Sequence, residues 1–206
     1  MNKLQQTFKA LLAPILMIAG CGVLSSSTSG SILDKLKPSN TYTYESLPQN
    51  LEELKQLPGA EELTDPYAVA ALTVAALTRY GESVSDCIEM LNYLKGPEPL
   101  SGYEKQFLRD RLRGKEYKPF SYFQGATPQN NYTPNTPYKI TVKSNQYSFT
   151  KDGSGHEWCT LWVTSGGADS PRSIKLRKKG STGQWFLNEI QCLSDIRTPA
   201  ADDPWD

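Results

Sequence analysis

Residues 157–193 read EWCTLWVTSGGADSPRSIKLRKKGSTGQWFLNEIQCL, and apolar residues alternate with polar ones in three segments of this stretch. In the first segment Cys159, Leu161 and Val163 occupy every second position. The positions between and before them carry Trp158, Thr160 and Trp162. Since successive side chains of a strand point to opposite faces of a sheet, the pattern predicts strands with one face in the core. The short turn-forming segments between them predict an antiparallel meander.

The alternation extends upstream to YKITVK at residues 138–143 and shifts in parity at residues 144–145, where we expect a turn or bulge. The meander therefore contains four or five strands. Residues 46–115 precede it and carry helix signals instead. We predict a single α+β domain over residues 46–206, with three to four N-terminal helices packed on a C-terminal antiparallel β-meander. A curved cystatin-like or NTF2-like sheet and a strongly bent open meander both fit this pattern.

Each predicted helix begins after a residue that can cap its first turn. We expect these N-caps at Asn50, Asp65, Ser83 and Ser101. The second helix, YAVAALTVAALTRYG, is apolar on nearly every side, and this predicts a central, buried position.

The chain opens with a pattern typical of a secretory signal peptide. Two basic residues, Lys3 and Lys9, precede an apolar run of eleven residues, 10–20. This run is shorter than the roughly 20 residues that a membrane-spanning helix needs. A buried apolar helix is an alternative, which Pro14 disfavours.

The run ends in IAGC at residues 18–21, which resembles the lipobox of bacterial lipoprotein precursors. The resemblance implies that residues 1–20 are cleaved off and that Cys21 carries lipid. An ordinary signal peptide followed by a chance cysteine is the alternative. A lipoprotein cysteine carries two or three acyl chains, enough to hold a protein stably on a membrane. Residues 21–45 are rich in Ser, Thr and Gly, and we predict that they form a flexible tether.

These features predict an extracytoplasmic protein that is anchored to the cell membrane through Cys21. Gly22 follows the cysteine in place of Asp, and by resemblance this favours the outer membrane if the cell has two. Beyond residue 20, 20 basic residues stand against 22 acidic ones. Because a nucleic-acid-binding domain usually has a basic excess, we expect no nucleic acid among the partners.

The stretch EYKPFSYFQGATPQNNYTPNTP, residues 116–137, shows no clear periodicity. Its rings alternate with Asn, Gln and Thr, a mixture that suits contacts with carbohydrate or peptide. The candidate ligand-binding residues here are Tyr117, Tyr122, Phe123 and Tyr132. The alternative is that some of these rings pack against the sheet as part of the core.

The C-terminal stretch from Ser165 to Trp205, with QWFL at residues 184–187 and DPW at 203–205, resembles a bacterial domain family of unknown function found in secreted and lipid-anchored proteins. The resemblance implies a fold unit but no activity. The residues of that stretch that would serve a site are Asp169, Arg172 and Arg197. The alternative is structural: Asp169 forms a turn, both arginines pair with carboxylates, and Trp205 docks the tail on the sheet.

Three cysteines remain besides Cys21. Cys87 falls on the apolar stripe of a predicted helix, so we expect a buried, inert thiol. In a simple meander the strands of Cys159 and Cys192 are two steps apart, or about 9.6 Å. That exceeds the roughly 7 Å that a disulfide spans, so we predict free thiols unless the sheet closes or the strand order differs.

His156 is the only histidine of the chain and no CxxC pair exists, so we predict no metal site and no cofactor. Our leading interpretation is a non-enzymatic protein that binds an envelope glycan, peptide or protein partner, or acts structurally. The alternative is a hydrolase that acts on envelope glycan or peptide. It requires at least two titratable groups in one cleft, for instance Asp152, His156 or Glu157 together with Asp169.

Overall fold

The computed structural model describes residues 39–204. The predicted signal peptide, Cys21, the tether up to residue 38 and Trp205 lie outside these residues. The domain contains four α-helices and a six-stranded antiparallel sheet, and is therefore α+β. In chain order the elements are β1 (Ser39–Tyr44), α1 (Leu51–Lys55), α2 (Pro66–Leu77), α3 (Val84–Lys95), α4 (Gly102–Leu112), β2 (Tyr138–Lys143), β3 (Phe149–Lys151), β4 (Glu157–Val163), β5 (Arg172–Lys178) and β6 (Trp185–Ile190).

The sheet has the strand order β1-β2-β4-β5-β6, with β3 paired to β4 beside β2. The end of β2 pairs with the end of β4, Val142 opposite Val163, whereas β3 pairs with the start of β4, Phe149 opposite Cys159. Strands β2 and β3 thus form one edge of β4, interrupted where the parity of the sequence shifts. Five strands follow the helices and pair antiparallel, which agrees with the predicted number of four or five.

Strand β1 corrects the prediction that the helices are N-terminal to the sheet, because it precedes all four helices and pairs with β2 along its whole length. It also shows that residues 39–44, which we predicted to belong to the tether, are part of the fold. Tyr44 is only 1% exposed. The Ser- and Thr-rich composition resembled a linker, yet Thr and Tyr also favour strands when a neighbouring strand is available.

The helices begin at the predicted caps. The side chain of Asn50 accepts a hydrogen bond from the Glu53 amide at 3.0 Å. Ser101 and Glu104 form a complete capping box at the start of α4, with the Ser101 amide donating to Glu104 at 2.8 Å. These local hydrogen bonds satisfy amides that the first helical turn leaves without a partner.

Helix α2 lies across the sheet and contacts β1, β2, β4, β5 and β6. Every residue from Tyr67 to Leu77 is buried, which confirms the predicted central helix. It is apolar all round because the sheet covers one side and α3 packs against another. Within residues 39–204, no helix has both the length and the hydrophobicity required to cross a bilayer.

The strand alternation decides which side of the sheet faces α2. Cys159, Leu161 and Val163 are fully buried on this side, as predicted. Trp158 and Trp162 have the opposite parity and are half-buried on the other, solvent-facing side.

Candidate functional site

The aromatic residues predicted to bind ligand from the 116–137 segment lie in the core. Tyr122, Phe123 and Tyr132 are each no more than 3% exposed. Tyr117 is half-buried and its ring stacks on that of Tyr132, with centroids 5.2 Å apart. The Phe123 ring meets Tyr138 of β2 edge-on at 5.9 Å.

The hydroxyls of these tyrosines tie the segment to the end of the chain. Tyr132 donates to the Arg197 carbonyl at 2.7 Å, and Tyr122 donates to the Cys192 carbonyl. Burial raises the pKa of Tyr132 to about 12. The rings therefore pack as the structural alternative predicted, and those of Tyr122, Phe123 and Tyr132 are not available to stack on a ligand.

The three candidate residues of the C-terminal stretch have structural partners as well. Arg197 pairs with Asp169 at the surface, as the structural alternative required. Arg172 instead donates to carbonyl oxygens, those of Ser194 at 2.9 Å and Asp195 at 3.0 Å. The prediction that Arg172 pairs with a carboxylate is therefore wrong, because its guanidinium clamps the backbone that follows β6.

Of the residues named for the hydrolase alternative, Asp152 and His156 come together, whereas Glu157 and Asp169 do not join them. His156 Nδ1 lies 3.0 Å from Asp152 Oδ2 in the exposed β3–β4 turn. Glu157 instead pairs with Lys178 at 2.7 Å. Asp169 follows the opposite end of β4, and a strand of this length separates it from the turn by about 20 Å. Hydrogen bonds from Trp158 and from His156 hold the pKa of Asp152 well below its usual range, so this carboxylate stays ionised.

The cysteines of the described domain are free and buried, as predicted. Burial raises the pKa of Cys87 and of Cys192 to about 12 and also raises that of Cys159. Such thiols are protonated at neutral pH and unreactive. Within residues 39–204, no three His, Cys, Asp or Glu side chains come close enough together to hold a metal ion.

The solvent-facing side of the sheet carries two half-buried indoles of β4, those of Trp158 and Trp162. We call it the tryptophan face and define it by Trp158, Thr160 and Trp162 of β4 with Lys175 and Arg177 of β5. Lys143 and Ser173 flank Trp162 in the neighbouring strands. Cations exceed carboxylates on this side: Lys139, Lys143, Lys175 and Arg177 stand against Glu189 and Asp152.

Trp158 organises one end of the tryptophan face. Its indole N–H donates to Asp152 Oδ2 at 3.1 Å, which fixes the ring. Lys175 Nζ and Arg177 Cζ lie 5.0 and 5.2 Å from the ring centroid. Both cations are therefore held over the indole by cation–π attraction.

A cavity of about 280 Å³ adjoins this end of the tryptophan face. We call it the β5–β6 cavity. Its walls come from the loop after α3, from the β3–β4 turn and from the ends of β5 and β6, and they include Glu98, His156, Arg177, Lys179, Phe186 and Asn188. The Phe186 wall fits closely against α3, since a Cβ on Gly96, whose φ is +63°, would lie 2.3 Å from the ring.

Sequence reasoning assigned Trp158 and Trp162 to the outer parity of β4 but did not select them as a site. The available signal was two tryptophans, four residues apart, at solvent-facing positions of one strand. Polar residues are usual at such positions, so large aromatic groups there point to a surface that contacts something.

A family model described as a domain of unknown function (DUF6935) matches residues 46–200, a range that includes everything from α1 to β6. No curated protein and no solved structure matches the chain. Because the match covers more than half of the chain, this protein belongs to the DUF6935 family of domains of unknown function.

Proposed function

We propose that this protein is a lipid-anchored extracytoplasmic binding protein whose tryptophan face contacts a glycan of the cell envelope. Cys21 holds the protein on the membrane, and the residues after it keep the domain clear of the lipid surface. Binding, rather than catalysis, is its role.

The observation that carries the proposal is the pair of half-buried indoles, Trp158 and Trp162, on the solvent-facing side of β4. Trp158 and Trp162 are four positions apart along the strand, which places their Cα atoms about 14 Å apart. Tryptophan contributes a large apolar surface together with a polar N–H, so it suits sugar rings, which have apolar faces and hydroxyl edges.

The residues between and beside the indoles supply hydrogen-bonding groups. Thr160 lies between them on the same strand, and Ser173 lies opposite Trp162. A surface of aromatic groups separated by hydroxyls favours a glycan over an apolar peptide, since every sugar ring offers both kinds of contact.

The experiment is a calorimetric titration of the full chain in detergent with muropeptides and envelope oligosaccharides. We expect at least one glycan to bind. Trp162→Ala should weaken its binding about tenfold or more, because tryptophans that a ligand covers contribute much of the binding energy of an interface.

Tyr103→Ala is the matched control, since Tyr103 is 81% exposed on α4 and does not belong to the tryptophan face. It leaves the affinity unchanged. Absence of binding by every glycan, or equal losses in the two variants, would rule out the tryptophan face as the binding surface.

A further inference from the structure

We propose that the β5–β6 cavity binds the carboxylate or phosphate group of an acidic glycan, with Arg177 and Lys179 as the recognising cations. This inference rests on the proposed function and names the ligand class. The tryptophan face contacts the sugar rings, and the cations of the cavity bind their acidic group.

Two of the four lysine and arginine side chains that line the cavity already have protein partners. Lys95 Nζ lies 2.6 Å from Glu104 Oε1 and 3.3 Å from the Asn188 carbonyl. Lys178 is paired with Glu157. These two cations at the cavity wall are neutralised by the protein itself.

Arg177 and Lys179 remain. Within residues 39–204, the Arg177 guanidinium donates no hydrogen bond, and its nearest carboxylate oxygen is that of Glu98 at 4.0 Å. Glu98 is 79% exposed, so water screens this attraction. Across the same part of the chain the Lys179 side chain has neither an ion pair nor a hydrogen bond.

Arg177 is also held in position before any ligand arrives. Its guanidinium lies over the Trp158 ring, and that ring is fixed by its hydrogen bond to Asp152. A guanidinium whose donors are uncommitted and whose orientation is set by stacking is suited to bind carboxylate or phosphate through two parallel hydrogen bonds.

The other walls favour a sugar acid over a bare ion. Phe186 offers an aromatic wall and Asn188 a polar side chain beside the cations. A volume of about 280 Å³ suits a single charged sugar unit. The cavity shares Arg177 with the tryptophan face, so one extended glycan reaches both. A recess of this kind selects one group, whereas a flat bilayer would engage the whole face equally.

The test compares three probes on the full chain in detergent by calorimetry: oligogalacturonate, its carboxyl-reduced neutral counterpart, and poly(glycerol phosphate). The first and third distinguish a carboxylate from a phosphate as the recognised group. We expect an acidic probe to bind at least tenfold more tightly than the neutral one, with an affinity that falls as salt rises.

Two substitutions locate the effect. Arg177→Gln and, independently, the exposed Lys179→Gln each reduce the affinity for the acidic probe severalfold or more, while Lys105→Gln on α4 is the matched control with no effect. Since the Lys179 side chain has no partner among the described residues 39–204, its variant remains informative even if Arg177→Gln disturbs the sheet.

Several outcomes would overturn the inference. Binding that Trp162→Ala abolishes but that does not distinguish acidic from neutral probes would leave the proposed function in place and remove the charge site. Vesicles of phosphatidylglycerol are a fourth probe in the same titration, and binding to them alone would replace the glycan with a membrane surface. No binding by either acidic probe would remove the charge site, while the proposed function would still be decided by the titration with muropeptides and envelope oligosaccharides.

Discussion

The turn that follows β4 has no space for a side chain at Gly166. A Cβ there would lie 2.0 Å from the Ala126 carbonyl oxygen, a backbone atom that cannot rotate away. The Gly166 amide donates to the Ser121 carbonyl at 2.8 Å, and the Ser165 and Ser121 hydroxyls meet at 2.7 Å. These two hydrogen bonds join the end of β4 to the buried 116–137 segment.

We expect Gly166→Ala to lower the free energy of unfolding by about 1–3 kcal/mol or more, because the added methyl must displace backbone. Urea unfolding followed by circular dichroism measures the change. Gly102→Ala is the control, since a Cβ at Gly102 meets no atom within 4 Å. Similar unfolding midpoints for the two variants would contradict the close packing.

At the scale of elements, β1 completes the sheet although the family match begins after it, at residue 46. Its six residues pair with β2 in unbroken register, from Ser39 opposite Lys143 to Tyr44 opposite Tyr138. Tyr42 also donates to Asp65, the residue that caps α2. The strand thus links the sheet edge to the start of the central helix.

Two deletions test this role. Removing residues 22–38 leaves the unfolding midpoint unchanged, whereas removing residues 22–44 lowers the free energy of unfolding by about 3 kcal/mol or more, since Tyr44 then leaves the core. Thermal unfolding of both variants supplies the measurement. If the two deletions proved equally harmless, β1 would be dispensable and the tether would extend to residue 45.

At the scale of the whole molecule, the two sides of the sheet have different tasks. Helix α2 covers one side and forms the core, while the tryptophan face occupies the other and the β5–β6 cavity lies beside it where β5 ends. The proposed anchor at Cys21 belongs to the same scale, because it decides which compartment this face meets.

We expect Cys21→Ser to abolish incorporation of labelled fatty acid and to leave the precursor uncleaved. Metabolic labelling and mass spectrometry of the purified chain measure both effects. Cys87→Ser is the control and stays labelled, because Cys87 is a buried thiol of the domain. Labelling that persisted without Cys21 would refute the anchor.

The sequence by itself determined the features that depend on interactions between residues close together in the chain. The caps Asn50 and Ser101 act on amides within three residues, and the alternation of Cys159, Leu161 and Val163 follows from strand geometry alone. The apolar composition of α2 sufficed to predict its burial, because no exposed helix is apolar on every side.

Only the tertiary structure decided the rest, because the partners are distant along the chain. Strand β1 needs β2, about a hundred residues later, and the rings of Tyr122 and Tyr132 needed the C-terminal backbone before packing could be distinguished from binding. The β5–β6 cavity forms where three separate segments meet, and no single one of them has a pattern that predicts it. Local hydrogen bonds and periodicity depend on residues that are neighbours in the sequence, whereas a binding surface depends on which elements the folded core brings side by side.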